Sequence, residues 1–260
     1  MSKTNPRRPR LSVVVPAYNE EETLATVICK LLREVNPYEI LVVDDASTDG
    51  TASVAKRLAG EHDTVRLITH LKNQGKTQAL KSAIQVSRGD IVIVQDADLE
   101  YDPSEIQEVI QPIVDGVADV VYGSRFLVRK AARVLYFNHY LANKALTFLS
   151  NVLTNVNLSD IETGYKAFRG DIIRNMIITS TGFGFEVEVT AKVTKLGCVL
   201  YEVPISYYGR TYEQGKKIGW KDAIAAFWYV FRYNCACSLK QSYQPLPSLD
   251  AVSAWKVVKA

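Results

Sequence analysis

A doubly wound α/β fold with a mostly parallel sheet is predicted by three observations. Apolar, β-branched runs read as strands buried on both faces, apolar residues at helical spacing fall between them, and polar clusters follow directly after the runs. The first run is residues 11 to 16 (LSVVVP). Capping-type residues Asn19 to Glu22 follow it, then Leu24, Val27, Ile28, Leu31 and Leu32 at helical spacing. Glu39 to Val43 is the second strand, with a turn at Asp49 and Gly50 and a helix over Thr51 to Ala59. A third strand at Val65 to Thr69 leads to a helix over Thr77 to Ser87, and a fourth at Asp90 to Gln95 ends in Asp96, Ala97 and Asp98. Pro103 opens a helix over Ser104 to Ile113, and Val120 to Gly123 is the fifth strand.

Beyond residue 126 the pattern changes. A long helix over Val134 to Leu153 precedes a polar patch with Asp160, Glu162, Thr163 and Gly164. A helix at Phe185 to Leu196, a strand at Cys198 to Val203, a loop from Tyr207 to Gly219 and an aromatic-rich helix from Trp220 to Tyr233 complete the order. The expected division is a flexible basic arm at 1–10, one domain at 11–234 and a weakly ordered tail at 235–260. Within the domain, the change of pattern is expected to divide 11–125 from 126–234. No internal repeat is evident.

Composition narrows the class. With 260 residues, 47% apolar content and a net charge of +3, the chain suits one large core and does not suggest a nucleic-acid partner. The four cysteines, Cys29, Cys198, Cys235 and Cys237, show neither C-x-x-C spacing nor a neighbouring His, and are expected to be reduced thiols in a cytosolic protein. No apolar run approaches the roughly 18 to 20 residues that cross a bilayer. The basic N-terminus lacks the apolar core of a secretion signal and suits attraction to anionic lipid.

In a doubly wound sheet, ligands gather beyond the carboxyl ends of the strands. Ala17 to Glu20, Asp44 to Ser47, Asp96 to Glu100 and Gly123 to Arg125 all fall there. Asp96 and Asp98 flank one small residue, so both carboxylates approach one point, which favours a hard divalent cation, Mg²⁺ or Mn²⁺. Asp44 and Ser47 equally suit turn or capping roles, and Glu20 also suits the positive end of the following helix. Lys76, after Asn73 and Gly75, suits a phosphate contact.

The segments PAYNEEETL, VVDDASTDGT, QDADLE, GSRF, ETGYKAF and GRTYEQGKKI, in that order, resemble family 2 glycosyltransferases of the dolichol-phosphate mannosyltransferase type over roughly residues 11 to 234. The resemblance implies the nucleotide-diphosphosugar transferase (GT-A) fold and an inverting, metal-dependent transfer of a hexose from a nucleotide sugar to a polyprenyl phosphate. It implies that Pro16, Ala17, Tyr18, Glu20, Asp45, Lys76, Asp96 and Ala97 cradle the nucleotide, with Asp45 at the base edge. Asp96, Asp98 and Glu100 hold the metal, Glu100 standing where the family often has Gln. Arg125 with Arg129 or Arg133 holds the acceptor phosphate. Arg210 with Lys216 or Lys217 covers the donor diphosphate on a loop that closes over substrate. Lys216 stands where the family usually has Ser, and the GKKI segment leans the donor towards a UDP-sugar over GDP-mannose.

A lipid phosphate is already anionic near neutral pH and needs no general base, whereas a hydroxyl acceptor does. In that second case Asp160 or Glu162 is the base, or positions the sugar. Residues 134–153 and 218–233 carry aromatic and aliphatic stripes with flanking cations, suited to a membrane surface or to core packing. The expectation is a peripheral enzyme at the inner face of the membrane, helped by a membrane partner or by self-association. Competing readings are transfer to a polysaccharide or soluble acceptor, nucleotidyl transfer, and a non-catalytic nucleotide-sugar-binding module.

Overall fold

The computed structural model describes residues 8–127, 136–210 and 220–249. Elements follow the chain as β1 (Leu11–Ala17), α1 (Leu24–Lys30, widening into a further turn, Leu31–Val35), β2 (Glu39–Asp44), α2 (Thr51–Glu61), β3 (Val65–Thr69), α3 (Lys76–Val86) and β4 (Ile91–Val94). They continue as α4 (Ile106–Val114), β5 (Val120–Ser124), α5 (Phe137–Thr154), β6 (Lys166–Arg169), α6 (Gly170–Arg174), α7 (Phe185–Leu196), β7 (Leu200–Pro204), α8 (Trp220–Cys235) and α9 (Leu239–Ser242).

The strands form one seven-stranded sheet in the order β3-β2-β1-β4-β6-β5-β7. All neighbours are parallel except β6, which runs antiparallel to both β4 and β5. Both sheet faces are covered, as the apolar strands require. Val13 and Val15, Ile40 and Val42, and Ile91 and Ile93 pack against α1, α2 and α4. Their alternate neighbours Val14, Leu41, Val43, Val92 and Val94 pack against α3, α6 and α7. A third cluster joins α5, α7 and α8 through Leu146, Ile161, Val187, Ala226 and Val230.

Three features depart from the sequence reading. The segment Lys166–Arg169 is a strand, because Lys166 and Arg169 are buried but satisfied: Lys166 donates to the carbonyls of Ile161 and Thr163, and Arg169 pairs with Asp119 at 2.8 Å. The tail expected over 235–260 is anchored as far as it is described: Ser238 and Gln241 form a reciprocal capping box, and buried Tyr243 bridges to Met176. Of the expected basic arm, Arg10 is tied to Asp90 at 3.2 Å. Residues 1–7 and 250–260 lie outside the described residues.

The register sets the working edge. Ala17 of β1 lies opposite Asp44 of β2, and Val14 opposite Val94 of β4, so the segments after these strands emerge side by side. Because β6 is reversed, its first residue, Lys166, lies opposite Tyr122 of β5, and the polar segment 160–165 arrives at the same edge.

Candidate active site

The loops at this edge are bent by unusual backbone. Among the described residues, five non-glycine residues adopt positive φ: Asn36 and Asn155 end helices, as Asn readily does, whereas Asn19, Ala46 and Leu99 lie in the loops after β1, β2 and β4. Left-handed Ala and Leu are strained positions that persist when surroundings enforce them. At Leu99 (φ 63°) the bend folds the chain back so that the Glu100 amide donates to Asp98 Oδ1 at 3.2 Å.

Ala97 is 2% exposed and packs into the core beside α1 and α4, so its side chain leaves the flanking acids as the polar part of this turn. Lys76, the first residue of α3, donates to Asp96 at 3.0 Å and stands 3.3 Å from Glu186 Oε1. Burial works against its charge, but Asp96 and Glu186 outweigh that and hold the ammonium well above the ordinary lysine range. Gly164 closes this group from below: a Cβ there would meet Asp96 Oδ2 at 2.7 Å and Lys76 Nζ at 3.2 Å. Burial, then the charges of Asp96 and Glu100, push the Asp98 carboxyl up to about 7.

Glu100 was expected as a third metal ligand. Its carboxylate accepts from the Arg210 amide at 2.6 Å and Tyr207 Oη at 2.9 Å, fastening residues 207–210 to the loop after β4. Among the described residues no three His, Cys, Asp or Glu side chains form a metal-binding group. Asp96 and Asp98 still fit a hard divalent cation. Such an ion takes one or two carboxylates with phosphate oxygens and water, and Asp96 and Asp98 supply two carboxylates on either side of the buried Ala97.

Arg210 spans two loops: its guanidinium donates to both oxygens of Glu20, at 3.1 and 2.8 Å, and to the Asp98 carbonyl at 2.9 Å. Glu20 also accepts from Thr23 Oγ1 at 2.9 Å. Asp45 serves chiefly to shape the loop before α3. It meets His70 Nδ1 at 2.6 Å and accepts from the amides of Gln74 and Gly75 at 2.7 to 3.1 Å, while Gly75 supplies the left-handed turn (φ +86°) that begins the helix. Pro16 and Tyr18 are half-buried beside this edge.

On the other side, Arg125 makes a two-pronged bond to Asp160, at 2.7 and 2.8 Å, and lies 5.0 Å from the centre of the Tyr207 ring. Asp160 is wholly buried and also accepts from Asn143 at 3.1 Å. Burial would raise its pKa, but Arg125 more than offsets this and holds it below the ordinary carboxylate range. Glu162 behaves in the opposite way: burial, then the charge of Glu186, push it up to about 7, and its Oε1 is buried without a hydrogen-bond partner. The two acids that sequence leaves as alternatives thus have different surroundings: Asp160 is engaged by a cation, and Glu162 keeps one buried oxygen without a hydrogen-bond partner.

Sequence reasoning missed Glu186, Lys166 and the tyrosines beneath the site. Tyr101 stacks on Tyr165 with centroids 5.2 Å apart, and its hydroxyl accepts from the Gly164 amide at 3.0 Å. The available signal for Glu186 was its place, with Glu188, in the otherwise apolar run Phe185 to Val189. Arg129, Arg133, Lys216 and Lys217 lie outside the described residues.

Away from this edge, α5 and α8 meet through their inner faces and leave outer ones bare. Phe137, Leu141, Phe148 and Val152 on α5, and Ile224, Trp228 and Phe231 on α8, are exposed. Among the described residues, no helix is long and apolar enough to cross a membrane.

Comparison with known proteins places these features in context. The family described as "Glycosyl transferase family 2" matches residues 12–177. An undecaprenyl-phosphate mannosyltransferase from Micrococcus luteus is 30% identical over 216 residues, covering 81% of this chain and 88% of the relative. A polyprenol monophosphomannose synthase from Mycolicibacterium smegmatis is 30% identical over 217 residues, with 81% and 82% covered. Among solved structures, glucosyl-3-phosphoglycerate synthase from Mycobacterium tuberculosis, in complex with Mn²⁺, UDP and glucosyl-3-phosphoglycerate, matches with a TM-score of 0.67 at 20% identity over 87% of this chain and 80% of that one. That likeness concerns the fold.

Proposed function

Since the chain belongs to glycosyltransferase family 2 and is a glycosyltransferase of GT-A architecture, we propose that it moves a hexose from a nucleotide diphosphate sugar to a polyprenyl phosphate, with inversion and with a divalent cation. The names of its relatives put mannose first among the hexoses. The observation that carries the acceptor assignment is the bare apolar face of α5 and α8 in a chain whose relatives are named for polyprenyl phosphates. Such a face suits a peripheral enzyme that meets its lipid at the inner surface of a membrane, alone, with an anchoring partner or as an oligomer.

In this reading residues 11–125 serve the donor and 126–234 the acceptor. Asp96 and Asp98 are the residues that hold Mg²⁺ or Mn²⁺, which when bound neutralises charge on the leaving diphosphate. Lys76, kept charged by Asp96 and Glu186, adds a fixed cation beside them. The loop turned by Ala46 and anchored by Asp45 receives the nucleoside. Arg210 covers the diphosphate with Lys216 or Lys217, a role that requires its guanidinium to exchange Glu20 for phosphate oxygens. Arg125, with Arg129 or Arg133, holds the acceptor phosphate, whose anionic oxygen attacks the anomeric carbon directly. That displacement inverts the centre and requires no covalent intermediate.

One observation favours a second reading, transfer to a hydroxyl acceptor. Glu162, lifted to about 7 with an unpartnered buried oxygen, has the properties of a general base at neutral pH. Incubation with labelled GDP-mannose or UDP-glucose, Mn²⁺ and either polyprenyl phosphate or an oligosaccharide decides between them. Label in the organic phase supports the lipid phosphate, and label retained only on oligosaccharide overturns it.

A further inference from the structure

Among the described residues, only two acids have a buried side-chain oxygen with no hydrogen-bond partner: Glu162 at Oε1 and Glu186 at Oε2. Leaving such an oxygen unsatisfied costs its desolvation penalty, so a native structure that carries two needs a reason for them. The two acids also feel each other, since the charge of Glu186 is the main cause, after burial, of the raised pKa of Glu162.

Their surroundings define what they can bind. Glu186 opens α7, is 4% exposed, and offers its other oxygen to Lys76, the cation that also holds Asp96. Glu162 lies between two carbonyls, of Ile161 and Thr163, that Lys166 pins in place at 2.7 and 2.6 Å. Gly164, two residues on, has no side chain to occupy the approach to Asp96 and Lys76. Glu186 therefore touches the cation assigned to the diphosphate, and Glu162 belongs to the segment that carries Arg125's partner Asp160. An ionised carboxylate accepts hydrogen bonds only, and two neighbouring acids repel phosphate. A neutral group rich in O–H donors, joined to a diphosphate on one side and approached by the acceptor on the other, satisfies both.

We infer that Glu186, with Glu162 beside it, reads the hydroxyls of the transferred hexose and sets which sugar is accepted. The inference rests on a nucleotide sugar being the donor, and not on the identity of the acceptor. A site built to hydrogen-bond a hydroxyl rejects analogues lacking it strongly, because its buried oxygen is then left unpaired.

The test compares calorimetric titrations of the full chain, with Mn²⁺, using GDP-mannose, UDP-glucose and the free diphosphates, and the corresponding monodeoxy sugar donors. Wild type should bind at least one monodeoxy donor about tenfold or more weakly than its parent. Glu186→Gln should weaken the preferred nucleotide sugar about tenfold and flatten that discrimination, while free diphosphate binds within about twofold of wild type. Equal losses for sugar nucleotide and free diphosphate would reduce Glu186 to an anchor for Lys76 and overturn the inference. Should Glu186→Gln lack the wild-type circular dichroism or melting transition, the wild-type arm alone decides: monodeoxy donors all binding as tightly as their parents overturn it. A wild type that binds no nucleotide sugar removes the donor reading itself, whereas one that binds selectively but labels no lipid removes only the acceptor assignment.

Discussion

Arg210 and Glu20 lie far apart in the sequence and meet fork to fork, with both carboxylate oxygens engaged at 3.1 and 2.8 Å. The pair joins the segment after β7 to the first strand-to-helix turn and reaches on to the carbonyl of Asp98. Charge-assisted, two-pronged geometry of this kind couples its partners energetically. A double-mutant cycle of Glu20→Ala and Arg210→Ala, read by urea unfolding, should give a coupling of about 0.5 to 3 kcal/mol; strict additivity would show that the contact is not maintained in solution. Addition of nucleoside diphosphate with Mn²⁺ should shrink that coupling, as Arg210 turns from Glu20 to phosphate.

The acids after β4 make metal-free stability depend on pH. Asp98 is raised from 3.8 to about 7 in the folded chain, chiefly by burial and then by Asp96 and Glu100. A carboxyl whose folded pKa lies above its unfolded one binds its proton more tightly in the native state. Its ionisation therefore removes stability as pH climbs through the window from about 4 to 7, by on the order of a few kcal/mol. Asp98→Asn should melt higher than wild type at pH 8 without metal, and should show no Mn²⁺-induced rise in melting temperature. Identical pH profiles for the two proteins would refute this account.

Arg125 and Asp160 form a buried pair in which each is the other's principal compensation. Removing one member strands the other, so Asp160→Ala should destabilise by about 3 to 5 kcal/mol in denaturant titration. A loss below about 1 kcal/mol would mean that water reaches Arg125 and replaces the carboxylate.

Gly164→Ala introduces a methyl carbon 2.7 Å from Asp96 Oδ2 and 3.2 Å from Lys76 Nζ. The Asp96 carboxylate, which Lys76 holds, must shift to admit it. The expected result is a fall in kcat/KM of about 10²-fold, the scale of a roughly 1 Å misplacement of reacting groups, with the circular dichroism spectrum retained. Wild-type kinetics in this variant would show that the Lys76–Asp96 contact is dispensable.

Phe148 and Trp228 are 70% and 62% exposed, so the double variant Phe148→Ser/Trp228→Ser should melt within a degree or two of wild type. Co-sedimentation with anionic lipid vesicles should drop several-fold, each large apolar side chain supplying about 1.5 to 3 kcal/mol when buried. Unchanged sedimentation would assign the face to another occupant.

Most of the sheet was legible because its strands are apolar on both faces, and a slip of one residue would carry polar neighbours into one of two cores. The acids at the strand ends were legible for the same reason: Glu20, Asp45, Asp96 and Asp98 follow directly after buried runs. β6 was not, since a four-residue strand beginning with Lys and ending with Arg has no apolar signature, and its charges are neutralised by Asp119 and by local carbonyls. The bonds of Glu100 were not legible, because motif spacing gives no hint that Tyr207 and the Arg210 amide would donate to it. The left-handed turns at Ala46 and Leu99 carry no glycine to announce them. Glu186 was hidden because its partner Lys76 belongs to a helix more than a hundred residues earlier in the chain.

The one reversed strand has a consequence for how this family can diversify. Because β6 is zipped between two neighbours by its backbone, the spacing between Asp96 and Glu162 is dictated by the ladder and not by the length of whatever polypeptide joins β5 to it. The stretch containing α5 can therefore be lengthened, shortened or re-clothed for a different destination, while Asp96 and the segment 160–165 stay in place.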